Sequence, residues 1–193
     1  MKYVQFRTPA FVCACEAEAE GRSRAPASLS RLVPLGLALA LTMLAAPLSE
    51  NAEAADRTAR LVKGQAIAPK GAPHRVERAI TAANRIAKGK GYCYGGGHAD
   101  WKSRCYDCSG AVSYALGDRG ARVLRRPRPS GDFMRWRTPG KGKWITVYAN
   151  GGHAYVVIAG LRFDTSMTPG AGPGWSKERR SSRSYRERHP RHL

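Results

Sequence analysis

A chain of 193 residues has room for one domain with tails. Charged residues at 24% and hydrophobic residues at 42% exclude wholesale disorder, and 21 glycines without a three-residue period exclude a collagen-like fibre. Lysine plus arginine is 33 against 14 acidic residues, a net charge of +19, which selects polyanionic partners: nucleic acid, anionic lipid or an acidic cell wall.

Residues 1–54 read as a signal peptide. Leu32 to Leu48 is an uncharged apolar run of about 17 residues, with Arg24 and Arg31 before it. Ala52-Glu53-Ala54 after it has the small-x-small form of a cleavage point. A retained anchor is the alternative, although the run is short for the ~20 residues of a bilayer crossing. The stretch before residue 30 is long for an n-region and suggests a mis-set start. Removing residues 1–54 takes away five basic and five acidic side chains, leaving 28 and 9 on 139 residues, still +19. Three cysteines stay: Cys93, Cys105 and Cys108. An odd count in an oxidising compartment leaves one thiol unpaired.

Residues 55–74 are mixed and punctuated by Gly and Pro, the composition of a linker. Arg75 to Lys88 predicts an amphipathic helix: Val76, Ala79, Ile80, Ala83, Ile86 and Ala87 recur at helical spacing, and Gly89 ends it. Tyr92 to His98 predicts a short aromatic strand running into a glycine turn. Cys108 to Leu116 predicts a short helix. Asp118 to Lys143 reads as loop, with nine basic against two acidic residues. Trp144–Ala149, Ala154–Ile158 and Leu161–Thr165 form a β-meander with turns at Asn150-Gly151-Gly152 and Ala159-Gly160. Residues 175–193 read as a basic tail with seven Arg/Lys and two Glu, and Trp175 and Tyr185 within it suggest that it packs partly on the domain. Helices before strands predict an α+β fold, with N-terminal helices packed on a small antiparallel sheet.

Cys108 stands in Asp107-Cys108-Ser109-Gly110 at a helix start. Unpaired N–H groups and the helix dipole favour the thiolate there, the state a nucleophile needs; a buried structural cysteine is the plain alternative. His153 opens a strand after the glycine turn, where an imidazole has space to act as base; a surface histidine is the common case. If Ala159-Gly160 is a two-residue turn, Ile158 pairs with Leu161, and His153, Tyr155 and Asp164 share a face. Asp164 is then diagonal to His153 and able to orient it. An odd-length turn would put Thr165 there instead. On register alone, replacing Asp164 should affect catalysis with little change in folding.

A metal site competes for the same residues. Cys93, His98, Cys105 and Cys108 read C-x4-H-x6-C-x2-C, four zinc-type ligands. Against zinc stand the expected export and the unexplained Gly-His strand. A Cys93–Cys105 disulfide would leave Cys108 free, on cysteine arithmetic alone.

Tyr92-Cys93-Tyr94-Gly95-Gly96-Gly97-His98, Tyr106-Asp107-Cys108-Ser109-Gly110-Ala111-Val112 and Gly152-His153-Ala154-Tyr155-Val156-Val157 resemble, in order and spacing, the blocks of the NlpC-type cell-wall cysteine peptidases. The resemblance spans residues 80–166; Phe163-Asp164-Thr165-Ser166 and Arg188-His189-Pro190 also resemble an actinobacterial secreted subset. It implies a papain-like catalytic domain over residues 75–174, with Cys108 as nucleophile, His153 as base and Asp164 at the third polar position. It implies that Tyr94 lies beside the nucleophile and that Asp107 and Ser109 help hold the substrate's peptide end. The third position is commonly His, Asn or Gln in the family, and residues 98–104 are an insertion. The implied activity is hydrolysis of peptidoglycan stem peptides, outside the cell, with no metal or organic cofactor. Anionic wall polymers are the other expected partner; nucleic acid is not expected, and a membrane only if the apolar run is retained. The alternative is a non-catalytic module that binds polyanions on the same scaffold.

Overall fold

The computed structural model describes residues 57–167 and 171–193, all within one unit of the chain, Ala45–Leu193. The expected signal peptide lies outside the described residues. Among the described residues no helix is long and apolar enough to cross a membrane.

The fold is α+β. Strands β1 (Arg60–Val62) and β2 (Gln65–Ile67) form a hairpin, and helix α1 spans His74–Ala87. Strands β3 (Gly91–Tyr92) and β4 (Cys105–Tyr106) pair in parallel, and α2 (Cys108–Leu116) follows. After the short α3 (Ser130–Phe133) come β5 (Thr138–Pro139), β6 (Ile145–Ala149), β7 (Ala154–Ile158), β8 (Leu161–Asp164), β9 (Gly174–Ser176) and β10 (Arg186–His189). These six strands make one antiparallel sheet in the order β5-β10-β6-β7-β8-β9.

The meander β6-β7-β8 turns where the residue pattern puts it. Ala159 and Gly160 have φ of 44° and 77°, the left-handed values that a two-residue hairpin turn requires, and Ile158 pairs with Leu161. Strand alternation then separates two faces. Val147, Ala154, Val156, Ile158, Leu161 and Phe163 point into the core under α1 and α2. Those helices are apolar on the facing side: Val76, Ala79, Ile80, Ala83 and Ile86 on α1, Ala111, Val112, Ala115 and Leu116 on α2, all buried. Tyr148, Tyr155, Arg162 and Asp164 share the opposite face.

Three segments differ from expectation. The residues read as linker, 55–74, carry the β1–β2 hairpin and the first residue of α1. Three-residue strands are too short to show an alternating pattern, and what holds the hairpin is a distant side chain. Asn84 of α1 accepts from the Ala66 N–H at 3.0 Å, donates to the Ala66 carbonyl at 2.8 Å, and accepts from the Trp175 indole at 2.8 Å. The residues read as a basic tail, 175–193, supply most of β9 and all of β10, and β10 lies inside the sheet between β5 and β6. Its sequence, Arg-Glu-Arg-His, has no apolar alternation, so only the open edge of β6 makes it a strand. The loop 118–143 contains α3 and β5.

α2 packs end-on against the glycine loop before β4. Gly96 accepts from the Asp107 N–H at 3.1 Å, and a Cβ on Gly110 would lie 2.0 Å from that same Gly96 oxygen. Neither backbone can retreat without losing the bond. Gly110→Ala is therefore expected to cost about 1–3 kcal/mol, the usual range for overpacking a fixed contact. Urea unfolding reads it; an unchanged midpoint would show that the loop yields freely.

Candidate active site

The site is built where the start of α2 meets the start of β7. Asp107 caps α2: its side chain accepts from the Gly110 N–H at 2.7 Å. The same carboxylate accepts from the Gly95 N–H at 3.1 Å, the Ser109 hydroxyl at 3.2 Å and the His98 imidazole at 3.0 Å. Cys108, the next residue, is thereby fixed at the first position of the helix. It is the free cysteine among the described residues and is half-buried. Cys93 and Cys105 are joined in a disulfide with Cα atoms 5.5 Å apart, which ties the glycine loop to β4.

That disulfide overturns the zinc alternative. Two of the four proposed ligands are oxidised to each other, and His98 is bonded to Asp107. No cluster of three or more His, Cys, Asp or Glu side chains suited to a metal ion occurs among the described residues.

His153 is set by the turn before it. The Asn150 side chain accepts from the N–H groups of Gly152 at 3.0 Å and His153 at 2.8 Å, an Asx-type turn that fixes the backbone entering β7. The His153 Nε2 lies 2.9 Å from Asp164 Oδ1. A carboxylate only accepts, so Nε2 carries the proton and Nδ1 is left to face Cys108, whose thiol feels the His153 side chain and the Ala154 N–H.

Asp164 is fully buried as a side chain. It accepts from the Ser166 N–H and hydroxyl at 3.1 Å and from Arg180 at 3.2 Å, and the Arg162 guanidinium stands 3.7 Å away. Burial alone would raise its carboxyl. The His153 hydrogen bond and charge, with the Ser166 bonds, override that and hold it at about 2. Burial would lower His153, but its bonds to Asp164 and Cys108 push it up to about 9. Burial would raise Cys108; the His153 bond, the Ala154 N–H and the His153 charge outweigh burial and the opposing charge of Asp107, so the thiol sits below its ordinary value. A lowered thiol beside a raised imidazole shifts the pair towards thiolate and imidazolium.

No family model matches the chain, and no curated protein matches it.

The structure brings Cys108, His153 and Asp164 together, with His153 hydrogen-bonded to Asp164, and puts Thr165 outside the group; the Thr165 Oγ1 is buried with no partner. Asp107 and Ser109 are adjacent to Cys108 but buried in the cap network. Tyr94 is 95% exposed on the glycine loop. Tyr92, two residues earlier, is the tyrosine that feels the Cys108 charge: burial first, then Cys108, raises its hydroxyl.

Sequence reasoning missed Ser166, Arg180 and Tyr185. Ser166 had a local signal, Asp-x-Ser, because an Asx turn bonds an aspartate to the N–H two residues on. Arg180 had none, since it reaches the site from the segment between β9 and β10; Tyr185 marked the tail as packing on the domain but not as reaching His153. Tyr185 lies 6.4 Å edge-on from His153 and 5.1 Å from Tyr155, and Arg180 lies over both tyrosine rings at 5.5 and 5.8 Å.

Two outcomes follow from these charges. Iodoacetamide should alkylate Cys108 rapidly at pH 5.5, and His153→Ala should slow this roughly 10²-fold or more, because a thiol returned towards ~8.5 is about one part in 10³ thiolate there. Equal rates in both proteins would refute the ion pair. The second outcome reverses the expectation that replacing Asp164 leaves folding intact. Asp164→Ala strands Arg162 and Arg180 and should cost about 3–5 kcal/mol, whereas Asp164→Asn keeps an acceptor for His153 and should cost less. The stabilisation has a pH window. Asp164 contributes fully above its ordinary 3.8 and loses it as pH falls through about 2; His153 contributes fully below its ordinary 6.5 and loses it as pH rises through about 9. Thermal unfolding of the three proteins from pH 2 to 10 checks both.

Proposed function

We propose that the chain is a secreted, papain-like cysteine peptidase that hydrolyses amide bonds in peptidoglycan stem peptides. The observation that carries the catalytic part is the Cys108–His153–Asp164 line, with the thiol lowered and the imidazole raised. A cysteine helix packed against an antiparallel sheet that supplies the histidine is the arrangement that favours a papain-like fold. The wall substrate rests on the resemblance of the Tyr-Gly, Asp-Cys-Ser-Gly and Gly-His blocks.

In this reading the Cys108 thiolate attacks the amide carbonyl and forms a tetrahedral oxyanion. In the first turn of α2, the Gly110 and Ala111 N–H groups are taken by Asp107. The N–H groups of Cys108 and Ser109 are left to face the oxyanion. His153 then passes its proton to the leaving amine and the C–N bond breaks, giving a thioester. Water, deprotonated by His153, attacks the thioester and releases the acid and the thiol. Asp164 holds the imidazole in the tautomer this needs and stabilises its charged form. Tyr94, which the resemblance puts beside the nucleophile, is offered to solvent, while Asp107 and Ser109, which it assigns to the peptide end, act through the loop and helix they hold together.

Mass spectrometry of muropeptides after digestion of isolated walls tests the proposal. Wild type should release shortened stem peptides, and Cys108→Ala should release none above background while still binding the wall, because the basic surface is untouched. Equal release by both proteins sinks the peptidase. No release by wild type, with Cys108 unreactive to iodoacetamide at pH 5.5, would favour the non-catalytic module.

A further inference from the structure

Away from the Cys108 site, two concavities adjoin on the surface formed by residues 122–137, the start of α1 and the end of the chain. One, of about 390 Å³, has five arginines in its wall; the other, of about 370 Å³, also has five, and Arg125 and Arg137 belong to both. No lysine lines either of them. The lysines lie elsewhere, two of them, Lys141 and Lys177, around the pocket beside Tyr155.

The positive charge is poorly compensated. Arg128 meets Asp132 at 3.6 Å and Arg122 meets Asp118 at 4.0 Å, both loose contacts with half-exposed carboxylates. Among the described residues the side chains of Arg125, Arg126, Arg135 and Arg191 have no carboxylate partner, and the buried Nε of Arg128 has no hydrogen-bond partner. Crowded like charges raise the energy of the free protein and lower that of any state in which an anion lies between them.

We propose that this arginine groove binds a polymer of phosphodiester groups that carries no bases. Arginine in place of lysine points to an oxyanion gripped by a fork: the planar guanidinium offers two parallel N–H donors that match the oxygens of a phosphate or a carboxylate, whereas an ammonium supplies only a point charge, and a phosphodiester chain carries such oxygen pairs at every repeat. Two adjoining concavities with shared arginines suit a chain of anions better than one small ion. Bases would have no exposed Trp, Tyr or Phe ring to stack on. The indole of the wall, Trp136, is 5% exposed, the imidazole of His192 is its exposed ring, and the large exposed hydrophobics Val62, Ile67, Tyr92 and Tyr94 all lie outside the groove. The groove shares no lining residue with the Cys108–His153–Asp164 line. It narrows the anionic wall polymers of the proposed function to phosphodiester chains, and only that cellular setting rests on the proposed function.

Titration of the full chain with poly(glycerol phosphate), poly-L-glutamate of equal charge and duplex DNA, at several salt concentrations, tests it. Poly(glycerol phosphate) should bind tightest. Arg125→Ala with Arg126→Ala, both exposed positions, should weaken it at least 10-fold and reduce the magnitude of the salt slope by about 2, one for each phosphate that is no longer neutralised. Arg125→Lys with Arg126→Lys should keep the salt slope but lose affinity severalfold, because the forked hydrogen bonds are gone. Equal binding of poly-L-glutamate would reduce the groove to an unspecific charge field. Tighter binding of duplex DNA would make it a nucleic-acid surface, and unchanged binding by the alanine pair would remove it as the site. Cys108 labelling, measured on the same variants, should stay at the wild-type rate; its loss would bear on the peptidase and not on the groove.

Discussion

A carboxylate with no solvent exposure is tolerable only if other charges and donors replace water, and Asp164 is the group around which this structure meets that demand. His153 approaches from the start of β7, Arg162 from within β8, Ser166 from the turn after β8, and Arg180 from the segment between β9 and β10. Arg162 and Ser166 flank Asp164 in the chain, while His153 and Arg180 come from other stretches, so one buried charge joins the end of the meander to the segment that leads into the last strand. The same charge raises His153, and the raised His153 lowers Cys108. Reactivity at the thiol is in this sense set two residues away, by a group that never touches it.

Asp107 does the complementary work on the other half. It cannot help the thiolate, because its own negative charge pushes the Cys108 thiol up. Its value is positional. It caps α2 and holds the glycine loop by Gly95, while the Cys93–Cys105 disulfide ties that loop to β4. The opposing charge is the weakest of the influences on Cys108 and loses to the imidazole bond. One aspartate therefore fixes where the thiol stands, and the other fixes the charge of the base that faces it.

What was legible in the sequence was what short-range physics determines. Helical spacing located α1 to within a residue, and the Asp-Cys-Ser-Gly start with a glycine after Leu116 bounded α2. Ala159-Gly160 determined the register of β7 on β8, and with it the face that Asp164 shares with His153. What was not legible depended on contacts between residues distant in sequence. The β1–β2 hairpin needs Asn84 and β10 needs the open edge of β6. Arg180 reaches Asp164 only because the segment after β9 crosses back over the tyrosine face. None of these leaves a periodicity; in residues 175–193 Trp175 and Tyr185 signalled packing on the domain, but the basic composition hid the strand.

The position of β10 also couples two events that lie far apart in the sequence. Its residues, Arg186–His189, fill the place between β5 and β6, and the segment before it carries Arg180 to Asp164 and Tyr185 to His153. An opening that lifts β10 from β6 loosens that segment as well, so local unfolding at this strand and exposure of the buried Asp164 charge go together.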